Sequence, residues 1–369
     1  MTRDELLSIR ITKPDQEIQK ASKTWWDSVA KPIDGLGCFE DIICRMAAVQ
    51  GKVCPDIDKK ALIIMCADNG VVEERVSQTS QKVTRDVAEL MGQNKSSVGI
   101  MSQGYPMDIF VYDIGINSED TPSGVINAKI RKGTANFLKE PAMEEAECLA
   151  AVQTGIDAVK KCRDAGYNII ATGEMGIGNT TTSTALLCAL LGLNPKDFTG
   201  KGAGLTDEGL INKIQVIEKG IRLHLERKYD GASIDVRKES NDRKVEVLNV
   251  LKCLGGLDIA GLAGVFIGGA IYHVPIVIDG LISAVAALIA EKLVPGCRQY
   301  MFASHMGREK GMDIILKELS LKPIIHADLA LGEGTGAILL FPMLDMAMSL
   351  YKSGTSFGDT NIEQYERLD

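Results

Sequence analysis

The segment Gly173-Glu174-Met175-Gly176-Ile177-Gly178-Asn179-Thr180-Thr181-Thr182 leaves the chain few folds to choose from. Ahead of it, Tyr167 to Ala171 is a short run that reads as a buried strand. Behind it, Ser183 to Leu191 reads as a helix. A strand, a glycine turn and a helix start form an α/β unit with an anion site. Glycines let the backbone approach a ligand, and the free N–H groups of the first helical turn point at it. The hydroxyls of Thr180 to Thr182 can add donors. The spacing Gly173-x4-Gly178 mimics a nucleotide P-loop, but Asn179 stands where that motif needs lysine. The expected chemistry is phosphate binding without ATP hydrolysis. An ordinary tight strand-to-helix connection is the competing reading.

With 369 residues the chain is long enough for one large domain with a satellite, or for two domains. Hydrophobic residues make up 45%, so a sizeable core is expected. Aromatics are only 5% against 37 glycines, which favours α/β packing over an all-β sandwich. The net charge of −8 argues against nucleic acid, and a bound phosphate would need local amides and one or two placed cations. Nine scattered cysteines without a C-x-x-C pair suggest reduced thiols and a cytoplasmic setting. The four histidines show no zinc spacing, so no metal and no cofactor are expected. The start Met1-Thr2-Arg3-Asp4-Glu5 lacks the apolar region of a signal peptide. The most apolar stretch, Ile259 to Ala290, is interrupted by Pro275 and Asp279. It is predicted as helix, buried strand (Val274 to Ile278) and helix, not as a membrane span.

Along the chain, residues 14 to 50 look helical, broken at Lys31-Pro32-Ile33-Asp34-Gly35-Leu36-Gly37. Strand Ala61 to Cys66 runs into Asp68-Asn69-Gly70, a loop at a carboxyl edge, where open α/β sheets gather ligands. Asp68 is equally a cap or turn residue. A helix ends near Gly92, a second strand covers Asp108 to Asp113, and a long helix covers Glu144 to Asp164. Gly200 to Leu205 is another glycine-rich loop, and Thr206 can cap the helix that carries Lys213. Lys213 can supply the missing cation, although on spacing alone a solvated surface lysine is the more ordinary reading. Arg227 to Lys244 is strongly charged and reads as a surface helix or loop. Ser304-His305-Met306 is expected in a loop and has no partner for a triad. Glu333, between Gly332 and Gly334, can bring its carboxylate close to a ligand; alone it would pass for a solvated loop residue.

An ordered set of segments then becomes specific: Lys31-Pro32…Leu36-Gly37, Ala67-Asp68-Asn69-Gly70-Val71, Gly133-Thr134…Pro141-Ala142-Met143, Gly173 to Gly176 with Asn179-Thr180-Thr181, Gly202-Ala203-Gly204, Asp279-Gly280 and Leu331 to Gly336. In this set the chain resembles the nicotinate-nucleotide–dimethylbenzimidazole phosphoribosyltransferase family, which activates the lower-ligand base of cobamides. The resemblance covers nearly the whole chain. It implies a large α/β domain with a parallel Rossmann-like sheet (56–339) and a smaller helical domain built from both ends (1–55 with 340–369). It also implies a dimer. The family's general base falls on Glu333 and its phosphate site on Gly176, Gly178, Asn179, Thr180 and Gly202, with Lys213 beside them. Glu174 and Asp279 are implied near the developing cation or the ribose hydroxyls.

The chain departs from the family at Asn69, where histidine is usual, and at Ser80, where proline is common. Glutamine often follows the Val83-Thr84 pair, but this chain has Arg85-Asp86-Val87. Ser80 and Val87 fall in the region implied to line the base pocket, and Leu331 joins them among the substrate-binding positions. A pocket without that amide suits a phenolic acceptor, phenol or p-cresol, as an alternative to a benzimidazole. Relatives that use phenols pair two paralogous subunits, so a heterodimer stands beside a homodimer. A non-catalytic paralogue and a P-loop phosphotransferase are the remaining alternatives. Glu333 argues against the first and the missing lysine against the second.

Overall fold

Six strands line up in parallel around four, Lys60–Ala67, Ile169–Met175, Ile276–Ile278 and Met301–Ala303, that are mostly apolar on both faces, which suits a sheet covered by helices on both sides. The computed structural model of the chain describes residues 1–226 and 241–367. The strands are β1 (Lys60–Ala67), β2 (Met107–Gly115), β3 (Ile126–Asn127), β4 (Ile169–Met175), β5 (Ile276–Ile278) and β6 (Met301–Ala303). Their order is β3-β2-β1-β4-β5-β6, and every neighbouring pair is parallel. This is the doubly wound order, with its switch point between β1 and β4, where a crevice opens at the carboxyl edge. All eight residues of β1 are buried. Two short parallel strands, β7 (His305–Gly307) and β8 (Ile325–Leu329), form a separate ribbon.

The expected α/β class is therefore observed, with differences at the edges of elements. Strand β4 runs on through Gly173, Glu174 and Met175, so the turn begins only at Gly176. The P-loop-like spacing thus has its first glycine inside a strand. A Cβ at Gly173 would lie 2.7 Å from the carbonyl oxygen of Glu333, so only glycine lets that loop cross the strand. As expected, the apolar stretch divides into helix Leu257–Tyr272, strand β5 and helix Leu281–Leu293, with Pro275 just ahead of β5. His305 lies in β7 and not in a loop. Of the charged stretch, 227–240 lies outside the described residues, and helix Asn241–Leu254 takes up the rest. Among the described residues no helix is long and apolar enough to cross a membrane.

The two ends of the chain pack on each other. Helices Gln16–Ser28 and Cys38–Gln50 meet helix Thr335–Ser353. Tyr351 stands edge-on to Trp26 at 4.9 Å, touches the Ser22 hydroxyl at 2.9 Å and donates to the Val53 carbonyl. Val29 and Ser356 form an antiparallel bridge.

Candidate active site

Four carboxyl-edge loops and the segment after β8 converge over the switch point. Leaving β4, Gly176 has no room for a side chain, since a Cβ would lie 2.4 Å from the Ala67 carbonyl and 2.6 Å from Asp258 Oδ2. Gly178 takes a left-handed φ of 95° and serves as N-cap of helix Asn179–Leu191. The helix-start residues then divide by direction. Thr180 is partly exposed, whereas Thr181 and Thr182 are buried. The Thr182 hydroxyl is taken up by Asn69 Oδ1 and the Asn179 carbonyl. Of the three predicted hydroxyl donors, only Thr180 faces out.

Lys213 reaches Thr180 from helix Asp207–Ile221, which Thr206 caps. It is 1% exposed, and its ammonium donates to Thr180 Oγ1 at 2.8 Å. Among the described residues it forms no ion pair, and burial pulls its pKa down to about 8. A Cβ at Gly202, itself left-handed at φ 55°, would lie 3.4 Å from Lys213 Nζ. The Gly200–Gly204 loop also meets the Ser77–Gln81 segment, where the Gln78 amide donates to the Gly204 carbonyl. A buried cation without a carboxylate, next to a half-open hydroxyl and a bare glycine backbone, is a seat for an anion.

The opposite end of the site is acidic. Asn179 does not turn its amide toward Lys213; it donates to Glu174 and, at 3.2 Å, to Asp258 Oδ2. Burial, with Asp258 close by, pushes the Glu174 carboxyl up to about 8, and burial pushes Asp258 up to about 7. Asp279 ends β5 and receives the N–H groups of Gly334 at 3.1 Å and Ala337 at 2.9 Å. It therefore caps helix Thr335–Ser353 from another part of the chain, and burial raises its pKa. This pins the loop Gly332-Glu333-Gly334, three successive residues with left-handed φ of 84°, 62° and 87°. A non-glycine residue in that conformation is uncommon and is held by its surroundings. Glu333 is half-buried, and its Oε2 accepts from the Val98 N–H at 3.1 Å.

The Glu333 loop and the turn after β4 thus lie on one side of the molecule. A Cβ at Gly332 would be 3.0 Å from Glu174 Oε1, and Glu174 is bonded to Asn179, the neighbour of Thr180. Leu331, 58% exposed, lines a narrow cleft with Glu174, Asp279 and His305. Ser80 is exposed ahead of helix Lys82–Gly92, and Val87 is half-buried within it. That helix joins the site where Thr84 Oγ1 accepts from the Ile177 N–H at 3.1 Å. Asp68 is buried at the β1 edge, accepts from the Asn117 N–H at 2.8 Å and is raised to about 6 by burial. His305 is buried and shares a 2.8 Å hydrogen bond with the Ser304 hydroxyl, which itself donates to the Ile278 carbonyl. That use of the hydroxyl leaves no triad.

Asp258 is the site residue that sequence reasoning missed. Its signal was a lone carboxylate between Gly255-Gly256 and an apolar run. Among the described residues the one carboxylate group with metal-like spacing is Asp27, Asp34 and Glu40, and it is already neutralised by Lys23, Lys31 and Arg367. The site as a whole suits a ligand with an anionic tail at Lys213 and a positive centre among Glu174, Asp279 and Glu333.

Comparison with known proteins identifies the family. A family model described as phosphoribosyltransferase matches residues 11–362. The chain is similar to the nicotinate-nucleotide–dimethylbenzimidazole phosphoribosyltransferase of Ruminiclostridium cellulolyticum, 42% identical over 354 residues and 96% of each chain. The enzyme of the same name from Clostridium acetobutylicum is 41% identical over 354 residues, again 96% of each. Among solved structures, CobT from Thermus thermophilus superposes with a TM-score of 0.84 at 34% identity, covering 95% of this chain and 100% of that one.

Proposed function

The chain belongs to the nicotinate-nucleotide–dimethylbenzimidazole phosphoribosyltransferase family, and we propose from its site how it carries out that reaction. It moves the phosphoribosyl group of nicotinate mononucleotide to a benzimidazole base and releases nicotinate, a step of cobamide assembly. The observation that carries the assignment of residues is the unpaired, buried Lys213 beside Thr180 and Gly202, opposite a cluster of carboxylates. The 5′-phosphate takes the Lys213 end, with Thr180 and the backbone at Gly178 and Gly202 closing round it, while Gly176, packed against Asp258, shapes the turn without reaching the phosphate. The pyridinium and ribose then lie toward Glu174 and Glu333.

As the bond from C1′ to the pyridinium nitrogen breaks, nicotinate leaves with the electron pair and its ring becomes neutral. Positive charge builds on the ribose, and the nearby carboxylates stabilise it where water is excluded. A ring nitrogen of the incoming base bonds to C1′, and Glu333 takes its N–H proton. Proton removal by a placed base is typically worth about 10²–10⁴-fold. Asn179 and Asp258 hold Glu174, while Asp279 holds the loop that presents Glu333. Ser80, Val87 and Leu331 line the place of the base.

A phenolic acceptor is not favoured. The named relatives point to dimethylbenzimidazole, and Asn69, one of the departures behind that idea, is fully buried and bound to Thr182 instead of facing a base. We read the packed chain ends as the small helical domain, near 1–55 and 340–369, and the rest as the catalytic domain. A dimer fits the exposed apolar residues Ile100, Met101, Met343 and Met346 on two helices in contact; sedimentation of the full chain tests it. Nine free thiols fit a reducing cytoplasm.

The deciding experiment incubates the chain with nicotinate mononucleotide and 5,6-dimethylbenzimidazole and follows nicotinate. Release that depends on the base is expected. No release with dimethylbenzimidazole, or release only with p-cresol, would reject the reading.

A further inference from the structure

A cavity of about 680 Å³ lies away from the catalytic crevice. It opens between helix Cys38–Gln50, the segment that leads into β6, and the loop that leads into β8. Arg298 and Gln299 precede β6 and Lys322 and Ile324 precede β8, so the cavity sits at the amino edge of the strands. In a chain with a net charge of −8, its wall carries Lys13, Arg45, Arg298 and Lys322 against the single carboxylate of Asp41.

Arg45 is the decisive residue. It is partly buried, its guanidinium lies 4.6 Å over the Phe302 ring, and Nη2 donates to the Met301 carbonyl at 2.8 Å. Those contacts fix the plane of the guanidinium but engage only one of its five N–H donors. Among the described residues neither Arg45, Lys13 nor Lys322 forms an ion pair, and Arg298 makes only a 3.6 Å contact with Glu291. A desolvated cation held in place without an ion pair also marks Lys213 at the catalytic end. The rest of the wall is mixed: Ile42, Leu321 and Ile324 give it an apolar patch, and Gln16, Gln19 and Gln299 give it amides. The volume falls in the range of small-molecule sites.

We propose that this cavity is a second ligand site, for a phosphorylated small molecule of nucleotide size. Its phosphates meet Arg45 and Lys322, and its ring rests on the apolar patch. The concave shape and the volume favour a small molecule over a flat docking partner. Because the site lies at the opposite edge of the sheet, its ligand does not compete with nicotinate mononucleotide.

The test is calorimetric titration of the full chain, without magnesium, using ATP, tripolyphosphate and adenosine as probes. ATP is expected to bind, tripolyphosphate more weakly and adenosine not at all, with the ATP affinity falling as salt is raised. Arg45→Gln and Lys322→Glu should each weaken ATP about tenfold, a typical loss for one charged hydrogen-bond partner. Lys322 is exposed, so Lys322→Glu should keep nicotinate release unchanged and decides the matter if Arg45→Gln misfolds. Lys213→Met should still bind ATP at this site. Absence of ATP binding, equal binding of tripolyphosphate and ATP, affinity unchanged in Lys322→Glu, or binding lost only in Lys213→Met would each overturn the proposal.

Discussion

Replacing Lys213 by methionine separates the demands of folding from those of the substrate. The side chain is 1% exposed, and its ammonium has a hydroxyl but no carboxylate as partner. Burial brings its pKa from about 10.4 to about 8. That shift corresponds to about 3 kcal/mol against the charged form. The sign follows from proton counting. Below pH 8 both folded and unfolded chains hold the proton, and the cost is carried in full. Between about 8 and 10.4 only the unfolded chain keeps it, so stability climbs with pH. Lys213→Met removes the cost and roughly keeps the shape. A chain of this length loses about 0.8 kcal/mol per degree near its midpoint, so the unliganded Tm should rise by about 2–4 °C at pH 7. The same variant should weaken nicotinate mononucleotide about 30- to 100-fold, from the loss of charge-assisted bonds to the phosphate. Thermal melts with and without the nucleotide read both numbers. A variant that melts several degrees lower without ligand, or that keeps the full nucleotide-induced rise, would refute the assignment of Lys213 as an anion seat.

Glu333→Gln should leave nucleotide affinity within about twofold and lower turnover by about 10²–10⁴-fold, measured as nicotinate release. Gly173→Ala places a Cβ 2.7 Å from the Glu333 carbonyl; it should lower both Tm and turnover, whereas an unaltered kcat would show that the loop crossing is not needed. For Glu174, the folded pKa near 8 lies above the unfolded value of about 4.3, so stability is greatest below pH 4.3 and is lost as pH rises through 8. Glu174→Gln should reduce that decline in melts between pH 5 and 9 and leave the shares due to Asp258, Asp279 and Asp68.

Local signals made the strand–turn–helix at 167–191 legible, along with the edge position of Asp68, the Thr206 cap and the glycine-flanked Glu333. What was hidden depends on contacts distant in sequence. Gly173 and Glu174 look like turn residues, and only the crossing of the Glu333 loop explains why a strand contains them. Lys213 looks solvated by spacing, yet helix Asp207–Ile221 packs that face against helix Asn179–Leu191. A carboxylate at the end of β5 was visible, but not that a helix beginning at Thr335 would use Asp279 as its cap. Strands β3, β7 and β8 are short and partly exposed, so no apolar run announces them.

The clasp between Tyr351 and the helices near Ser22 and Trp26 has a consequence for synthesis. A ribosome adding about 5–20 residues per second needs roughly 15–60 s after making Trp26 before Tyr351 exists to cover it. Helices Gln16–Ser28 and Cys38–Gln50 therefore wait for their partner while all eight described strands are translated. Until helix Thr335–Ser353 is made, Trp26 lacks the ring that packs edge-on against it in the folded chain.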